Sequence, residues 1–153
     1  QVANSSAPGG TFTLIDESYN ANPLSMAAGF RSLGVRPVPA GGRRVLVLTD
    51  MLELGEQSRA LHEGLAENIA AAGLDLVHTA GPEMKRLHDA LAEDRRGLWR
   101  ETAVELAAEA ADLVGPGDVV MVKGSNGSKA SLVAKALAAL ASPSSSDAPR
   151  AKR

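Results

Sequence analysis

The chain has 153 residues with 16 basic and 18 acidic side chains, a formal net charge of −2 and no cysteine. This near balance of charge disfavours a dedicated nucleic-acid binder, which needs a surplus of Lys and Arg to face phosphates. The lack of cysteine excludes disulfides, thiolate metal sites and thiol catalysis, and it fits a reducing compartment. The sequence shows no run of 18 apolar residues and no signal-peptide pattern at its start, so we expect a cytoplasmic protein.

The two ends of the chain differ from its middle in composition. Residues 1–10 are polar and rich in Gly and Pro, and residues 142–153 are of low complexity. Neither segment can bury enough apolar surface to offset the entropy cost of ordering it. We therefore expect a flexible lead at residues 1–10, one domain at residues 11–141 and a disordered tail at residues 142–153.

The first predicted elements are a strand at Thr11–Ile15 and a helix that begins at Pro23. Asn22 is a typical N-cap residue, Pro is favoured at the first helical position, and Gly34 marks the end of the helix. The residues expected on its buried stripe are Met26, Phe30 and Leu33.

The next two elements are a strand and a longer helix. Arg44–Leu48 is an apolar run after its first residue, which is typical of a strand covered on both faces. The helix at Ser58–Ala72 is expected to bury Leu61, Leu65 and Ile69, because these residues recur every four positions.

The rest of the chain continues the alternation of strands and helices. Thr102 and Glu105 predict a capping box, in which each side chain binds the backbone N–H of the other residue. The expected elements are a strand at Leu74–Thr79, a helix at Pro82–Ala92, a strand at Leu98–Arg100, a helix from Thr102 to Leu113, a strand at Asp118–Val122 and a helix at Ser128–Ala141.

Five strands separated by helices predict an α/β fold. We expect a doubly wound, mostly parallel sheet with helices on both faces, because right-handed crossovers place them there. Ligands in such folds bind at the carboxyl ends of the strands. The loops of interest are therefore residues 16–23, 49–57, 80–84 and 123–128.

The loop at residues 16–23, DESYNANP, holds two carboxylates, a phenol and two amides directly before a helix. One interpretation is a capped turn, with Asn22 as the cap and Asn20 in an Asx turn. The other is a binding loop, because amides and carboxylates at a strand end suit a ribose or a peptide backbone. The residues alone leave both interpretations open.

Asp50 follows a buried strand, in the segment TDMLELGEQS. A carboxylate at the end of a buried strand needs a partner or a task. Glu56 has a structural explanation, because acidic groups are stabilised near a helix N-terminus. The apolar residues Met51, Leu52 and Leu54 indicate docking onto this domain's own core or onto a neighbouring domain.

The segment KGSNGSKAS fits neither the Walker pattern nor the dinucleotide-binding pattern. What remains is a strand, a Gly-rich corner and a helix N-terminus, which together are typical of an anion site. The alternative is that Gly124 and Gly127 only permit a tight turn and that Ser128 only caps the helix.

The three histidines do not predict a metal site. His62 and His88 fall on helices and His78 falls in or near a strand, without a shared ligand spacing. A serine hydrolase is equally unsupported, because no G-x-S-x-G motif is present.

Three segments carry a resemblance to a known family: LIDESYNANPLSM, VLVLTDMLELGEQS and VMVKGSNGSK, in this order. Together they resemble the C-terminal domain of the Mur ligases over residues 10–141. The combination of S-Y-N-A-N-P with D-M-L-E-L-G is similar to the branch that adds D-alanyl-D-alanine to UDP-N-acetylmuramoyl-tripeptide in peptidoglycan synthesis.

The resemblance implies the third domain of an ATP-dependent peptide ligase. In such enzymes ATP phosphorylates the tripeptide carboxylate, and the dipeptide amine attacks the acyl phosphate. ATP and Mg²⁺ are held mainly by a central domain with a P-loop, a motif that this sequence does not contain. We expect this chain to be inactive alone, to bind the dipeptide and to close the ATP site against the ligase's N-terminal and central domains.

The resemblance also implies binding residues, with no catalytic or metal-ligating residue in this chain. Nucleotide contacts are expected at Asp16, Glu17, Ser18 and Tyr19. Dipeptide contacts are expected at Asn20, Asn22, Asp50, Gly81, Glu83, Met84, Lys123, Gly124, Ser125 and Asn126. Ser125, with the helix N-terminus at residues 126–128, is expected to bind the terminal carboxylate of the dipeptide.

Three residues depart from the family's pattern. Glu17 stands where Asp is usual, Thr49 replaces a Gly before Asp-Met, and Asn126 stands where a basic residue is common.

Two other functions remain to be weighed. A receiver domain of a signalling protein is also doubly wound, with an acidic pair, an acceptor Asp and a Lys at strand ends, as Asp16, Glu17, Asp50 and Lys123 are here. However, Asp50 follows the second predicted strand, whereas a receiver's acceptor follows the third. The other alternative is a non-catalytic interaction domain that has kept the fold and lost the site.

Overall fold

The structure is a computed structural model that describes residues 1–140. Within these residues the chain forms six β-strands and five α-helices. The strands are β1 (Val2–Ala7), β2 (Gly10–Glu17), β3 (Arg44–Thr49), β4 (Leu76–Ala80), β5 (Arg96–Arg100) and β6 (Val119–Lys123). The helices are α1 (Pro23–Gly34), α2 (Ser58–Ala72), α3 (Met84–Ala90), α4 (Ala103–Ala107) and α5 (Ala130–Ala139).

The six strands form one sheet in the order β1-β2-β6-β3-β4-β5. β1 is antiparallel to β2, and every other neighbouring pair is parallel. The predicted α/β fold with a mostly parallel sheet is therefore confirmed.

The structure corrects the expectation of a flexible lead at residues 1–10. Residues 2–7 form β1, which pairs with β2 in a register that joins Val2 to Ile15 and Ala7 to Gly10. Only Ser5 among the six residues of this strand is buried, so apolar packing contributes little to holding it. The strand is held mainly by its backbone hydrogen bonds to β2. The sequence of β1 therefore lacks the alternation of apolar and polar residues that would predict a strand. The expected tail at residues 142–153 lies outside the described residues.

The core consists of two apolar layers, one on each face of the sheet. Side chains of β3 alternate between them: Val45 and Val47 pack with α4 and α5, whereas Leu46 and Leu48 pack with α1, α2 and α3. All four side chains have no exposed surface. Because β3 is covered on both faces, its carboxyl end is a rigid place from which to build a site.

Most predicted helix boundaries agree with the structure, and the differences have local causes. α1 and α2 have the predicted bounds, but α2 buries His62 while Leu61 stays partly exposed. α4 ends at Ala107 and is followed by a short 3-10 turn. α5 begins only at Ala130, because Lys129 has a left-handed backbone with φ 65°. Within residues 1–140, none of the helices is both long and apolar enough to cross a bilayer.

The loops after the parallel strands meet along the carboxyl edge of the sheet, which we call the rim. They are the β2 loop (residues 18–22), the β3 loop (50–57), the β4 loop (81–83), the β5 loop (101–102) and the β6 loop (124–129). Since β6 lies between β2 and β3, the β6 loop lies between the β2 and β3 loops.

His78 is a buried histidine on β4, away from the rim. Its Nδ1 accepts a hydrogen bond from the Leu98 N–H, and its Nε2–H donates to the Leu113 carbonyl oxygen, both at 3.0 Å. Burial lowers the pKa of His78 from 6.5 to about 4. The neutral ring therefore ties β4 to β5 and to the segment after α4.

We expect His78 to make the stability of the fold depend on pH. The unfolded chain binds a proton at the imidazole near pH 6.5, whereas the folded protein binds it only near pH 4. The free energy of unfolding should therefore fall by about 3 kcal/mol as the pH drops through this window. An NMR titration of the folded protein checks this: a His78 midpoint near 4 is expected, and a midpoint near 6.5 would contradict it.

Candidate ligand-binding rim

Asp50 joins the β3 loop to the start of α3. Its Oδ1 accepts a hydrogen bond from the Met84 N–H at 2.8 Å, and its Oδ2 accepts one from the Glu83 N–H at 3.2 Å. Burial raises the pKa of the Asp50 carboxyl, and these two N–H donors oppose the rise. The partner that a carboxylate at this position requires is therefore a helix N-terminus within the domain.

Gly81 makes the contact between Asp50 and α3 possible. Its φ is 121°, and a Cβ at this position would overlap the Asp50 carboxylate. Only glycine satisfies both the backbone conformation and the lack of space. The β4 loop is therefore shaped by Asp50.

Ser125 connects three loops through a single hydroxyl group. Its Oγ accepts a hydrogen bond from the Leu52 N–H at 3.0 Å and donates one to the Ala21 carbonyl oxygen at 3.3 Å. Its own N–H donates to the Asp50 carbonyl oxygen at 3.3 Å. The hydroxyl proton is thus engaged within the domain, and a contact with a carboxylate would require the bond to Ala21 to open.

Thr49 locks the β6 loop to β3. Its Oγ1 lies 2.6 Å from the Ser128 Oγ, which in turn donates to the Ser125 carbonyl oxygen at 2.7 Å. A Cβ on Gly124 would overlap the Thr49 hydroxyl. Thr49 stands where the family usually has Gly, and the space for its side chain is provided by the glycine at position 124. The Thr49 hydroxyl also gains a hydrogen bond to Ser128.

Lys123 is a buried cation at the end of β6. Its Nζ donates to the Glu17 Oε1 at 3.2 Å and to the Asn20 carbonyl oxygen at 3.4 Å. Its stem packs over Gly29 of α1, where a Cβ would lie 3.3 Å from the Lys123 Cδ. Lys123 therefore fixes the β2 loop, and its ammonium is directed at that loop.

His62 fixes the other end of the β3 loop. The fully buried ring accepts the Met51 N–H at Nε2 (3.1 Å) and donates from Nδ1 to the Ser58 carbonyl oxygen (2.7 Å). Met51 itself is buried in the core. The sequence-based expectation that Met51 docks onto apolar surface is met by this domain's own core.

The β2 loop is both capped and exposed. Asn22 and Ser25 form a reciprocal capping box at the start of α1, so the predicted N-cap is confirmed. Asp16 Oδ1 accepts the N–H of the buried Ser18 at 3.0 Å. Tyr19 is 61% exposed, and the Asn20 amide has no partner within residues 1–140.

Two concave regions lie on either side of the β6 loop. The inner cavity, of about 390 Å³, is bounded by the β3, β4, β5 and β6 loops. The open hollow, of about 330 Å³, is bounded by the β2, β3 and β6 loops. Leu52 and Gly127 line both and separate them; a Cβ on Gly127 would lie 2.9 Å from the Leu52 Cδ1.

The predicted site residues divide between these two regions and the interior. Asp50 and Gly81 line the inner cavity, whereas Tyr19, Asn20, Ser125 and Asn126 line the open hollow. The remaining predicted residues line neither region: Asp16, Glu17, Ser18, Asn22, Glu83, Met84, Lys123 and Gly124.

The side chains of Met84 and Glu83 are engaged within the domain. The Met84 side chain is fully buried in the core, so only its backbone N–H reaches Asp50. The Glu83 carboxylate accepts the Ser58 hydroxyl at 2.7 Å. Neither side chain is free to shape a ligand pocket in this arrangement.

Four polar residues that line the inner cavity were not among the predicted site residues: Glu101, Thr102, Ser128 and Lys129. Thr102 was assigned only to a capping box, which the structure confirms. The sequence offers one sign of their role: Glu101 and Thr102 directly follow a strand, and ligands in this kind of fold bind at the carboxyl ends of strands. Within residues 1–140, no three His, Asp or Glu side chains are grouped closely enough to hold a metal ion.

Comparison with known proteins places the chain in a family. The family model described as "Mur ligase, glutamate ligase domain" matches residues 2–126, which is more than half of the chain. The chain therefore belongs to the Mur ligase family, and the predicted resemblance is confirmed.

The curated relatives define the branch of the family more closely. UDP-N-acetylmuramoyl-tripeptide–D-alanyl-D-alanine ligase of Mycobacterium tuberculosis (strain CDC 1551 / Oshkosh) is 37% identical over 146 residues, covering 83% of this chain and 29% of the relative. The ligase of the same name from Rickettsia prowazekii is 34% identical over 116 residues, covering 76% of this chain and 25% of the relative. The chain thus spans less than a third of these relatives.

Solved structures agree with this placement. MurF ligase from Thermotoga maritima in complex with ADP has a TM-score of 0.72 and 25% identity, covering 92% of this chain and 30% of that chain. MurF from Acinetobacter baumannii has a TM-score of 0.74 and 25% identity, covering 91% of this chain and 30% of that chain.

We expect Ser125→Ala to destabilise the domain. The Leu52 N–H loses its acceptor and the Ala21 carbonyl loses its donor, which should lower the free energy of unfolding by about 1–2 kcal/mol. Urea unfolding measures the change, with Ser131→Ala on α5 as a matched control. An unfolding free energy equal to that of the parent would show that the hydroxyl bridge is absent in solution.

We expect Gly124→Ala to be strongly destabilising in the parent and less so beside Thr49→Gly. The new methyl group overlaps Thr49 in the parent, whereas removal of the threonine side chain opens that space. A double-mutant cycle by thermal unfolding should give a coupling of about 1 kcal/mol or more. Additive effects would contradict the contact between the two positions.

Proposed function

We propose that this chain is the acceptor-binding domain of an ATP-dependent ligase that adds D-alanyl-D-alanine to UDP-N-acetylmuramoyl-tripeptide. The observation that carries the proposal is the rim, in which the family's three motifs meet around two adjacent concave regions. The relatives that bear this ligase's name support the choice of substrate. The expected location of the reaction is the cytoplasm.

In this proposal the open hollow faces the nucleotide. Tyr19 offers an exposed ring and Asn20 an unengaged amide. Asp16 and Glu17 do not line the hollow but stand at the end of β2, directly before the β2 loop. Each uses one carboxylate oxygen within the domain, which leaves the other oxygen of each to accept a ribose hydroxyl. ATP and Mg²⁺ would be held mainly by the central domain, and together they supply the activated phosphoryl group.

The inner cavity receives the dipeptide in this proposal. Its volume lies within the range of small-molecule sites, and its walls are largely apolar between a few polar groups. The task of this domain is to hold the dipeptide so that its amine can attack the tripeptide carboxylate that ATP activates. Positioning of this kind supplies much of the rate in bimolecular reactions.

The two alternative functions have less support. A receiver domain needs an accessible acceptor carboxylate, and here both Asp50 oxygens accept hydrogen bonds from α3. A non-catalytic interaction domain is separated from the ligase by the phosphate-release experiment below, because it would support no release that depends on the dipeptide. Treatment with an acyl phosphate and magnesium separates the receiver, because only a receiver gains a phosphate on Asp50.

The experiment that tests the proposal uses the complete protein that contains this chain. It is supplied with ATP, Mg²⁺, UDP-N-acetylmuramoyl-tripeptide and D-alanyl-D-alanine, and phosphate release is measured. We expect release that depends on the dipeptide and does not occur with D-glutamate in its place. Release that is the same with and without the dipeptide would contradict the proposal.

We expect Asn20→Ala in the complete protein to reduce turnover more than stability. The Asn20 amide faces the open hollow without a partner within residues 1–140, so its loss removes a ligand contact and no internal bond. A loss of roughly tenfold in kcat/KM for ATP is expected at nearly unchanged Tm. Asn68→Ala, on the exposed face of α2, is the matched control, and equal losses of activity and Tm in Asn20→Ala would favour the capped-turn interpretation.

A further inference from the structure

Two exposed residues of opposite charge, which do not pair with each other, are among the residues that line the inner cavity. Glu101 belongs to the β5 loop, and Lys129 is the last residue of the β6 loop. Within residues 1–140, neither charged group has a hydrogen-bond or salt-bridge partner. The lining of the cavity therefore includes one carboxylate and one ammonium group that are not engaged within the described part of the domain.

The other polar side chains of the cavity are already engaged. Both Asp50 oxygens accept hydrogen bonds from backbone N–H groups at the start of α3, those of Glu83 and Met84. The Thr102 hydroxyl caps α4 and bonds to Glu105. The Ser128 hydroxyl bonds to Thr49 and to the Ser125 carbonyl oxygen. Glu101 and Lys129 are thus the side chains of this lining whose polar ends are left for a ligand.

The backbone places Lys129 on the cavity wall at an energetic cost. Its φ of 65° and ψ of 32° lie in the left-handed region, which disfavours residues other than glycine. Glu53 is the one other non-glycine residue within residues 1–140 that has a positive φ. Strained residues of this kind persist where the surrounding structure fixes them and cluster at binding sites. Here the turn places Lys129 beside the cavity, before α5 begins.

Much of the remaining lining is apolar and built from small groups. It is formed by Ala80, Pro82, Ala103, Val104 and Leu52. A carboxylate, an ammonium group and a wall of methyl groups together match a short zwitterion with small apolar side chains.

Resting on the proposed function, we propose that Lys129 binds the terminal carboxylate of D-alanyl-D-alanine and that Glu101 faces its ammonium end. The two methyl groups of the dipeptide then lie against the apolar wall. This assignment gives the carboxylate an unpaired cation, whereas the Ser125 hydroxyl has to release Ala21 before it can donate. Ser125 acts instead as a positioning residue that holds Leu52 between the cavity and the hollow.

The test compares two acceptors in the complete ligase: D-alanyl-D-alanine and the same dipeptide with a C-terminal carboxamide. The parent enzyme should prefer the carboxylate by roughly ten- to a hundredfold in kcat/KM, because a charge-assisted hydrogen bond is lost with the amide. In Lys129→Gln this preference should shrink at least about tenfold, through a higher KM for the carboxylate form. Lys135→Gln on α5 is the matched control and should keep the full preference.

Two further variants separate binding from folding. Lys129→Gly relaxes the left-handed backbone, so it should unfold at a Tm no lower than the parent while it still loses the preference for the carboxylate. Glu101→Gln should raise the KM of both acceptors by a similar factor and leave the preference unchanged, because it acts at the other end of the dipeptide.

The possible failures are distinguishable. If the parent ligase releases no phosphate with D-alanyl-D-alanine, the proposed function fails and this inference fails with it. If the parent is active and Lys129→Gln keeps the full preference for the carboxylate, the inference is wrong and the proposed function stands.

Discussion

The rim depends on the two hydrogen-bonding roles of Asp50. Its carboxylate receives the first amide hydrogens of α3, and its backbone carbonyl oxygen receives the N–H of Ser125. One residue at the end of the central strand therefore joins the β3, β4 and β6 loops. The cost of burying a carboxylate, which raises its pKa, is offset by two N–H donors and by the positive end of the helix dipole.

Internal hydrogen bonds of this kind decide which groups remain for a ligand. Several polar side chains of the rim form hydrogen bonds that hold the loops to one another: Thr49, Lys123, Ser125 and Ser128. What is left is a small set of exposed or unpaired groups around two concave regions. In the function proposed above, these groups hold a substrate for chemistry that other parts of a ligase supply.

The sequence predicts the fold, and which loops meet at the rim, because both depend on local signals. Caps at Asn22 and Thr102 and the apolar run of β3 mark the elements, and parallel strands bring their carboxyl ends together. β1 was missed because it is held by backbone pairing and carries almost no apolar pattern. The sequence predicts which loops form the rim, but it does not predict where each of their side chains points.

Individual contacts depend on packing that no local pattern reveals. Met84 occupies a loop position in the sequence but points into the core. Lys129 reads as the first turn of a helix, and only its left-handed backbone places it on the cavity wall. The pairing of Thr49 with the space left by Gly124 joins residues that are far apart in the chain.

The hydrogen bonds of Asp50 and Ser125 should assemble the rim before a ligand binds. Amide hydrogen exchange of the ligand-free protein tests this at the N–H groups of Leu52, Met84 and Ser125. We expect all three to exchange at least about a hundredfold more slowly than unstructured peptide amides, because each donates to a fixed acceptor. Exchange at the unstructured rate would show that Asp50 and Ser125 do not hold the loops together.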